Sequence, residues 1–212
     1  MDVVPKDVTV DSIHLDNYPS AQLLQPQLLE YFEKEVAKGF MLKVPISSPP
    51  PTRIHPIALI PKAGQPGQWR LITDASSPTG SSINDICPPP PKFRMVTVND
   101  IFARALPNSW AGGIDIAHAF RNIPLNLDCI GHLAVRVGNF YYLELRLPFG
   151  WSWSPFIWCS FSDFVQRYVA SFGHSCVVYV DDFLCWGVPK KNVMIVWCFS
   201  SLLLHSSGYL LA

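Results

Sequence analysis

Two acids set side by side in an apolar run constrain this chain more than any other feature. In Val177-Val-Tyr179-Val-Asp181-Asp182-Phe-Leu-Cys185-Trp186, two stretches rich in β-branched and aromatic residues flank a pair of carboxylates. Successive strand residues point to opposite faces. Both acids therefore stay near one place only at the turn of a hairpin, with strands over 176–179 and 183–186. Asp-Asp is a poor tight turn, because Asn-Gly or Asp-Gly better supplies positive φ. Taken alone, the pair also reads as two acids solvating a loop tip.

A third acid shifts that balance. Asp115 follows Gly112-Gly-Ile at the end of an apolar strand and precedes Ile116-Ala-His118-Ala-Phe120. If this strand neighbours the Asp181 hairpin, two or three carboxylates converge and repel unless a divalent cation neutralises them. Oxygen-only donors favour Mg2+, held by one or two carboxylates plus substrate phosphates. Two such ions about 3.5–4 Å apart would clamp the attacking and leaving oxygens of an in-line phosphoryl transfer.

The chain can build the core that such a hairpin needs. Of its 212 residues, 49% are apolar and 15% charged, which excludes a disordered polymer. Sixteen basic residues cancel sixteen acidic ones, so no global field draws nucleic acid. Locally the balance differs: Lys38, Lys43, Arg53, Lys62 and Arg70 lie in the acid-free stretch between Glu35 and Asp74, which predicts a basic surface. Six cysteines without a C-x-x-C pair, and an acidic start (Asp2, Asp7, Asp11, Asp16) unlike a signal peptide, predict a reduced intracellular protein, cytoplasmic or nuclear. Residues 193–212 carry no Asp, Glu, Lys or Arg and have the outline of a membrane tail anchor. Four serines and Gly208 dilute it, so a buried core helix without stable membrane association is the expectation.

Leu23, Leu24, Leu28, Leu29, Phe32 and Val36 predict an amphipathic helix over 21–38 that ends at Gly39. Strands over 57–60 and 69–73 predict a hairpin bearing Lys62 and Arg70. Thr97 to Asp100 reads as a capping box before a short helix, and 112–116 as a strand. Two alternating strands flank Gly138-Asn139, a pair suited to a type II′ turn. Ser154-Pro155 opens a helix whose apolar face would be Ile157, Phe161, Phe164, Val165, Tyr168 and Val169. The sum is an α+β layer, an antiparallel sheet with helices on one face.

These residues resemble the reverse transcriptases. Tyr179-Val-Asp181-Asp182 is similar to their Y-x-D-D motif, and Asp115 to Phe120 to the palm motif with the first catalytic Asp. Leu147-Pro-Phe149-Gly150 with Ser154-Pro155 resembles the motif opening the template-facing helix, and Trp69 to Asp74 the fingers hairpin. All four stand in the family's order and spacing over about residues 53 to 187. Ser76 to Asp85, Val96-Thr-Val and Ala119 to Pro124 look most like DIRS-like retroelement polymerases. The resemblance implies an RNA-directed DNA polymerase with a palm and a fingers subdomain. Residues 1–52 would be an N-terminal extension with the amphipathic helix, 53–106 the fingers, and 107–212 a palm cut before the primer grip and thumb, with thumb and RNase H segments missing.

It also implies roles. Asp115, Asp181 and Asp182 would be catalytic and, with Ile116, would hold two Mg2+ ions, with Mn2+ as a substitute. Lys62 and Arg70 would grip the triphosphate of a dNTP, Lys as a point charge and Arg by its planar fork. His118 and Ala119 would offer backbone N–H groups to the phosphates, and Phe120 would pack under the sugar and leave no room for a 2′-hydroxyl. Phe149, where many retroviral enzymes have Gln, and Gly150 would complete the nucleotide site. The partners would be an RNA or DNA template with its primer. Trp151 and Trp153 are bulkier than is usual in DIRS-like sequences, which is consistent with a rival reading: an inactive relic, or a domesticated nucleic-acid-binding module of the same fold.

Overall fold

The computed structural model describes residues 12–105, 107–187 and 190–206. In chain order the elements are β1 (Ile13–His14), α1 (Pro19–Leu23), α2 (Gln25–Ala37), β2 (Met41–Pro45), β3 (Arg53–His55), β4 (Ile57–Pro61), β5 (Trp69–Thr73) and α3 (Ile83–Ile86). There follow α4 (Val98–Arg104), β6 (Trp110–Asp115), β7 (Ala134–Val137), β8 (Phe140–Glu144), α5 (Trp153–Ser171), β9 (Ser175–Tyr179), β10 (Asp182–Gly187) and α6 (Lys190–Ser206). Contacts divide the chain into two units, Met1–Pro90 with Ile123–Ser154, and Pro91–Asn122 with Pro155–Ala212. This division cuts elsewhere than residues 52 and 106. Strands β1 and β2, from the segment expected to be an extension, belong to the first unit's sheet, as do β7 and β8.

The α+β class holds, but the single antiparallel sheet is replaced by three sheets. In the first unit a five-stranded sheet runs β1-β3-β7-β8-β2 and is mixed, because the short β1 and β3 join it in parallel. Helix α2 lays Leu28 and Phe32 against Val135, Val137 and Tyr142, with Phe32 stacked on Tyr142 at 4.8 Å. Each such fully buried side chain contributes about 1.5–3 kcal/mol. The helix expected over 21–38 is two helices broken at Leu24, since Pro26 brings no N–H and disfavours helical geometry before it. Its end is as expected: Gly39 (φ +71°) donates to Val36 O at 2.9 Å and Phe40 to Glu35 O at 3.0 Å, a Schellman motif. The Gly138-Asn139 turn joins β7 to β8 with Gly138 at φ +56°.

In the second unit β6-β10-β9 form an antiparallel sheet. Helix α6 covers the face that carries Gly112 and Cys185: a Cβ on Gly112 would meet Trp197 and Val193, and Trp197 Nε1 donates to Gly113 O at 3.0 Å. Helix α4 has its capping box, Thr97 with Asp100. Helix α5 starts one residue before Ser154, which therefore lies inside the first turn and is not the cap. Its buried positions are Trp153, Ser154, Trp158, Ser162, Val165 and Val169, whereas Phe164 and Tyr168 are exposed. The helical period holds, and Val165 and Val169 are buried as expected; the stripe is turned toward Trp158, whose Nε1 donates to Val180 O, and away from Phe164 and Tyr168. Among the described residues no helix is long and apolar enough to cross a membrane, and residues 207–212 of the anchor-like tail lie outside them.

Candidate active site

The register of β6 against β10 sets Asp115 directly across from Asp182, both exposed. Side chains so paired share one face, with Cβ atoms about 4.5–5.5 Å apart. Asp181 sits in the two-residue turn that joins the paired Tyr179 and Asp182, and its carbonyl accepts from Ile116 N at 3.1 Å. The turn is thus Val180-Asp181 rather than Asp-Asp, and Asp182 is the first residue of its strand. Val180 supplies the positive φ (+56°) that a type II′ turn needs at its first central position. A β-branched residue adopts that conformation only under strain. Trp158 Nε1 holds it there, donating to Val180 O at 2.5 Å.

Burial pushes the Asp181 carboxyl above the usual carboxylate range, and the charges of Asp182 and Asp115 push it further. Like charges brought together with oxygen donors suit a hard divalent cation. Among the described residues no three His, Cys, Asp or Glu side chains are grouped to hold a metal alone. A cation here would draw its remaining ligands from a substrate phosphate and water.

Past Asp115 the chain turns through His118, itself at φ +59°, into a 3-10 turn at Ala119–Asn122. Asn122 Nδ2 braces this loop, donating to Ala117 O at 3.0 Å and Ala119 O at 3.3 Å. His118 is exposed, Phe120 half-buried and Ala119 buried, and the Ala119 N–H reaches back to Ile116 O at 3.4 Å.

In the other unit, Arg70 stands across from Ile60 on the β4–β5 hairpin, and Lys62 opens its loop by donating from its backbone to Gln68 O at 2.9 Å. Both line a cleft of about 620 Å3 with Tyr31, Trp69, Phe149 and Gly150. Gly150 has φ +92°, and a Cβ there would overlap the Thr73 carbonyl oxygen, so this position excludes any side chain. Asn84 fixes the segment by donating to Gly150 O at 3.0 Å and accepting from Ser152 N at 2.9 Å. The expected basic surface shrinks to Lys62 and Arg70. Although the stretch itself is acid-free, α2 brings Glu35 to Lys38 (3.1 Å) and Glu33 to Lys43 (2.5 Å), while Arg53 is buried on Ser81 O.

The family model for reverse transcriptase (RNA-dependent DNA polymerase) matches residues 60–198. The chain belongs to this family. A Pol polyprotein of the Drosophila melanogaster transposon opus, described as retrovirus-related, is 26% identical over 195 residues, 89% of this chain and 18% of that protein. Among solved structures, the foamy viral protease-reverse transcriptase is similar in complex with double-stranded DNA (TM-score 0.79, 17% identity, 100% of this chain and 34% of that one). The same is true of its complex with an RNA/DNA hybrid (TM-score 0.78, 15% identity, 99% of this chain and 26% of that one). The fold is therefore that of a reverse transcriptase, and the chain spans well under half the length of these relatives.

Of the residues picked from sequence, this reverse transcriptase chain gathers Asp115, Ile116, His118, Ala119, Phe120, Asp181 and Asp182 in the second unit, and Lys62, Arg70, Phe149 and Gly150 in the first. Sequence reasoning missed the residues that hold them: Trp158 under the Val180 turn, Asn122 under the 117–119 loop, and Asn84 behind Gly150. A Trp on a helix face and an Asn in a single short turn of helix carry no periodic signal. Only the backbone groups they bond reveal them.

Proposed function

We propose that the chain is the fingers-and-palm part of a retroelement RNA-directed DNA polymerase, which adds deoxynucleotides to a primer 3′-hydroxyl on an RNA or DNA template. The observation that carries this reading is the pairing of Asp115 with Asp182 beside Asp181 in its strained turn. Retroelement origin is supported by the transposon relative, and binding of a duplex by the foamy viral complexes. Asp115 and Asp181 are the residues that would hold the metals, with Asp182 and the Ile116 backbone beside them. Two Mg2+ ions, or Mn2+ in their place, supply when bound the positive charge that steadies the attacking and leaving oxygens.

The remaining roles belong to the chain's own groups. Lys62 and Arg70 bind the triphosphate by charge, and Arg70 can do so through two parallel N–H bonds. His118 presents backbone to the phosphates, and Ala119 joins it once its N–H turns from Ile116 O, with Asn122 bracing the loop that carries them. Phe120 excludes a 2′-hydroxyl from under the sugar, and Phe149 and Gly150 are assigned to nucleotide binding. Primer extension on a homopolymer RNA template with Mg2+ and the complementary dNTP tests the reading. Extension that Asp181→Asn abolishes is the expected result. Duplex binding without extension would overturn it in favour of a non-catalytic binding module.

A further inference from the structure

Cys176 and Cys185 take no part in the chemistry above, and they stand directly across from each other on β9 and β10. Both side chains are buried, and their Sγ atoms are hydrogen-bonded at 3.7 Å. The ladder shows what kind of pair they form. The Val178 N–H points away from β10, to Gln166 Oε1 at 3.0 Å, so Val178–Phe183 is a non-hydrogen-bonded pair. Two residues along, Cys176–Cys185 is one as well. Such pairs bring Cα atoms to about 4.5 Å, within the roughly 4.4–6.8 Å that a disulfide spans. Rotation of two side chains is all that separates the dithiol from a bond.

The two sulfurs are not equivalent. The hydrogen bond with Cys176, and then Ser200 Oγ at 3.9 Å, hold the Cys185 thiol down, whereas the same sulfur contact and burial push Cys176 up. Where the Cys185 thiol gives up its proton, the thiolate is the reactive form. The next cross-strand pair, Ser175 and Trp186, borders a surface cleft of about 360 Å3 lined also by Phe172, Gly187 and Ile195. A small oxidant entering there is one residue from the pair.

We propose that Cys176 and Cys185 form a redox-modification site for hydrogen peroxide. The Cys185 thiolate attacks a peroxide oxygen and the O–O bond breaks; the departing hydroxide takes up the thiol's proton as water, leaving a sulfenic acid. The Cys176 sulfur then attacks the Cys185 sulfur, the S–S bond forms, and the sulfenic oxygen leaves with the Cys176 proton as a second water. Two thiols are oxidised and one peroxide is reduced. The resulting disulfide staples the hairpin whose turn carries Asp181.

The test uses the full chain in a Cys198→Ser background, which removes an exposed competing thiol. After hydrogen peroxide treatment and alkylation, peptide mass mapping should find the Cys176 and Cys185 peptides linked with loss of two hydrogens, and dithiothreitol should separate them. Cys185→Ser should abolish the link while leaving Cys87, Cys129 and Cys159 as reactive as before. If that variant does not fold, the map of the Cys198→Ser chain decides. Both thiols still open to alkylation, sulfinic acid on unlinked cysteines, or a link joining other cysteines would each overturn the proposal.

Discussion

Two hairpins carry the candidate chemistry, and they are built on opposite plans. The β4–β5 hairpin spans seven residues between its strands, with Gly64 (φ +71°) and Gly67 (φ +78°) in open space, and forms a sheet of only two strands. Its cations sit on long side chains. The β9–β10 hairpin closes in two residues without a glycine, keeps Val180 in a conformation it resists, and is anchored by Trp158 on one side and by β6 on the other. Its acids sit on one-carbon side chains. A carboxylate pair that must share cations tolerates little displacement, so the backbone is fixed even at the expense of strain. A cation gripping a triphosphate can make up several ångströms with its own side chain, so its loop need not be rigid.

The largest expected effect comes from the close approach that fixes the end of β5; β4 is held separately, with Ile57 and Leu59 in the core. Gly150→Ala places a methyl group in the Thr73 carbonyl at a positive φ, and unfolding should show a loss of about 2–4 kcal/mol. A loss below about 1 kcal/mol would mean that the end of β5 can shift and that only β4 fixes the hairpin. Next, Arg70→Ala should raise the KM for dNTP about tenfold with a smaller change in kcat, because a binding contact is lost without disturbing the carboxylates. A kcat that falls as far as KM rises would place Arg70 in the reacting geometry and break the contrast. Val180→Gly is smaller in free energy and opposite in sign. Relief of about 1–3 kcal/mol of strain exceeds the roughly 0.5–1 kcal/mol of added chain entropy, so stability should rise by about 1 kcal/mol while extension falls. Extension that stays unchanged would show the strained turn to be dispensable.

The same contrast explains what could be read from the sequence. Both hairpins, the Gly39 helix end, the Thr97 capping box and the Gly138 turn rest on local rules of period and φ, and local rules are written residue by residue. The pairing of Asp115 with Asp182 needed a register between strands 67 residues apart, which the motif order implied and no local pattern could fix. Where the reading failed, a distant contact overrode a local preference. Trp158 turned the buried stripe of α5 toward its bond with Val180, Glu33 on α2 took up Lys43, and β1 joined a sheet its two residues could not announce. Trp158, Asn122 and Asn84 were illegible for the same reason, since each acts on backbone far from it in sequence or without periodic signature.

The smallest effect bears on how closely the acids are held. Since burial and its two acidic neighbours raise the Asp181 pKa in the folded chain, the folded state takes up a proton at a pH where the unfolded chain has already released it. In metal-free protein this contribution to stability is complete below the ordinary carboxylate range and is lost as pH rises through the raised value. Glu30, Glu33, Asp85 and Asp100, whose carboxyls are held low by Lys34, Lys43, Ser82 and Thr97 respectively, contribute in the opposite sense on acidification. The difference between wild type and Asp181→Asn removes that background. Measured by denaturant midpoint, wild type should lose stability relative to the variant as pH rises across this window, and a pH-independent difference would mean that the β9–β10 turn does not press its acids together. Asp115→Asn should move the wild-type window back toward the ordinary range, because one of the two charges raising it is gone. Neutralising Arg70, in the looser hairpin, should leave that window where it is.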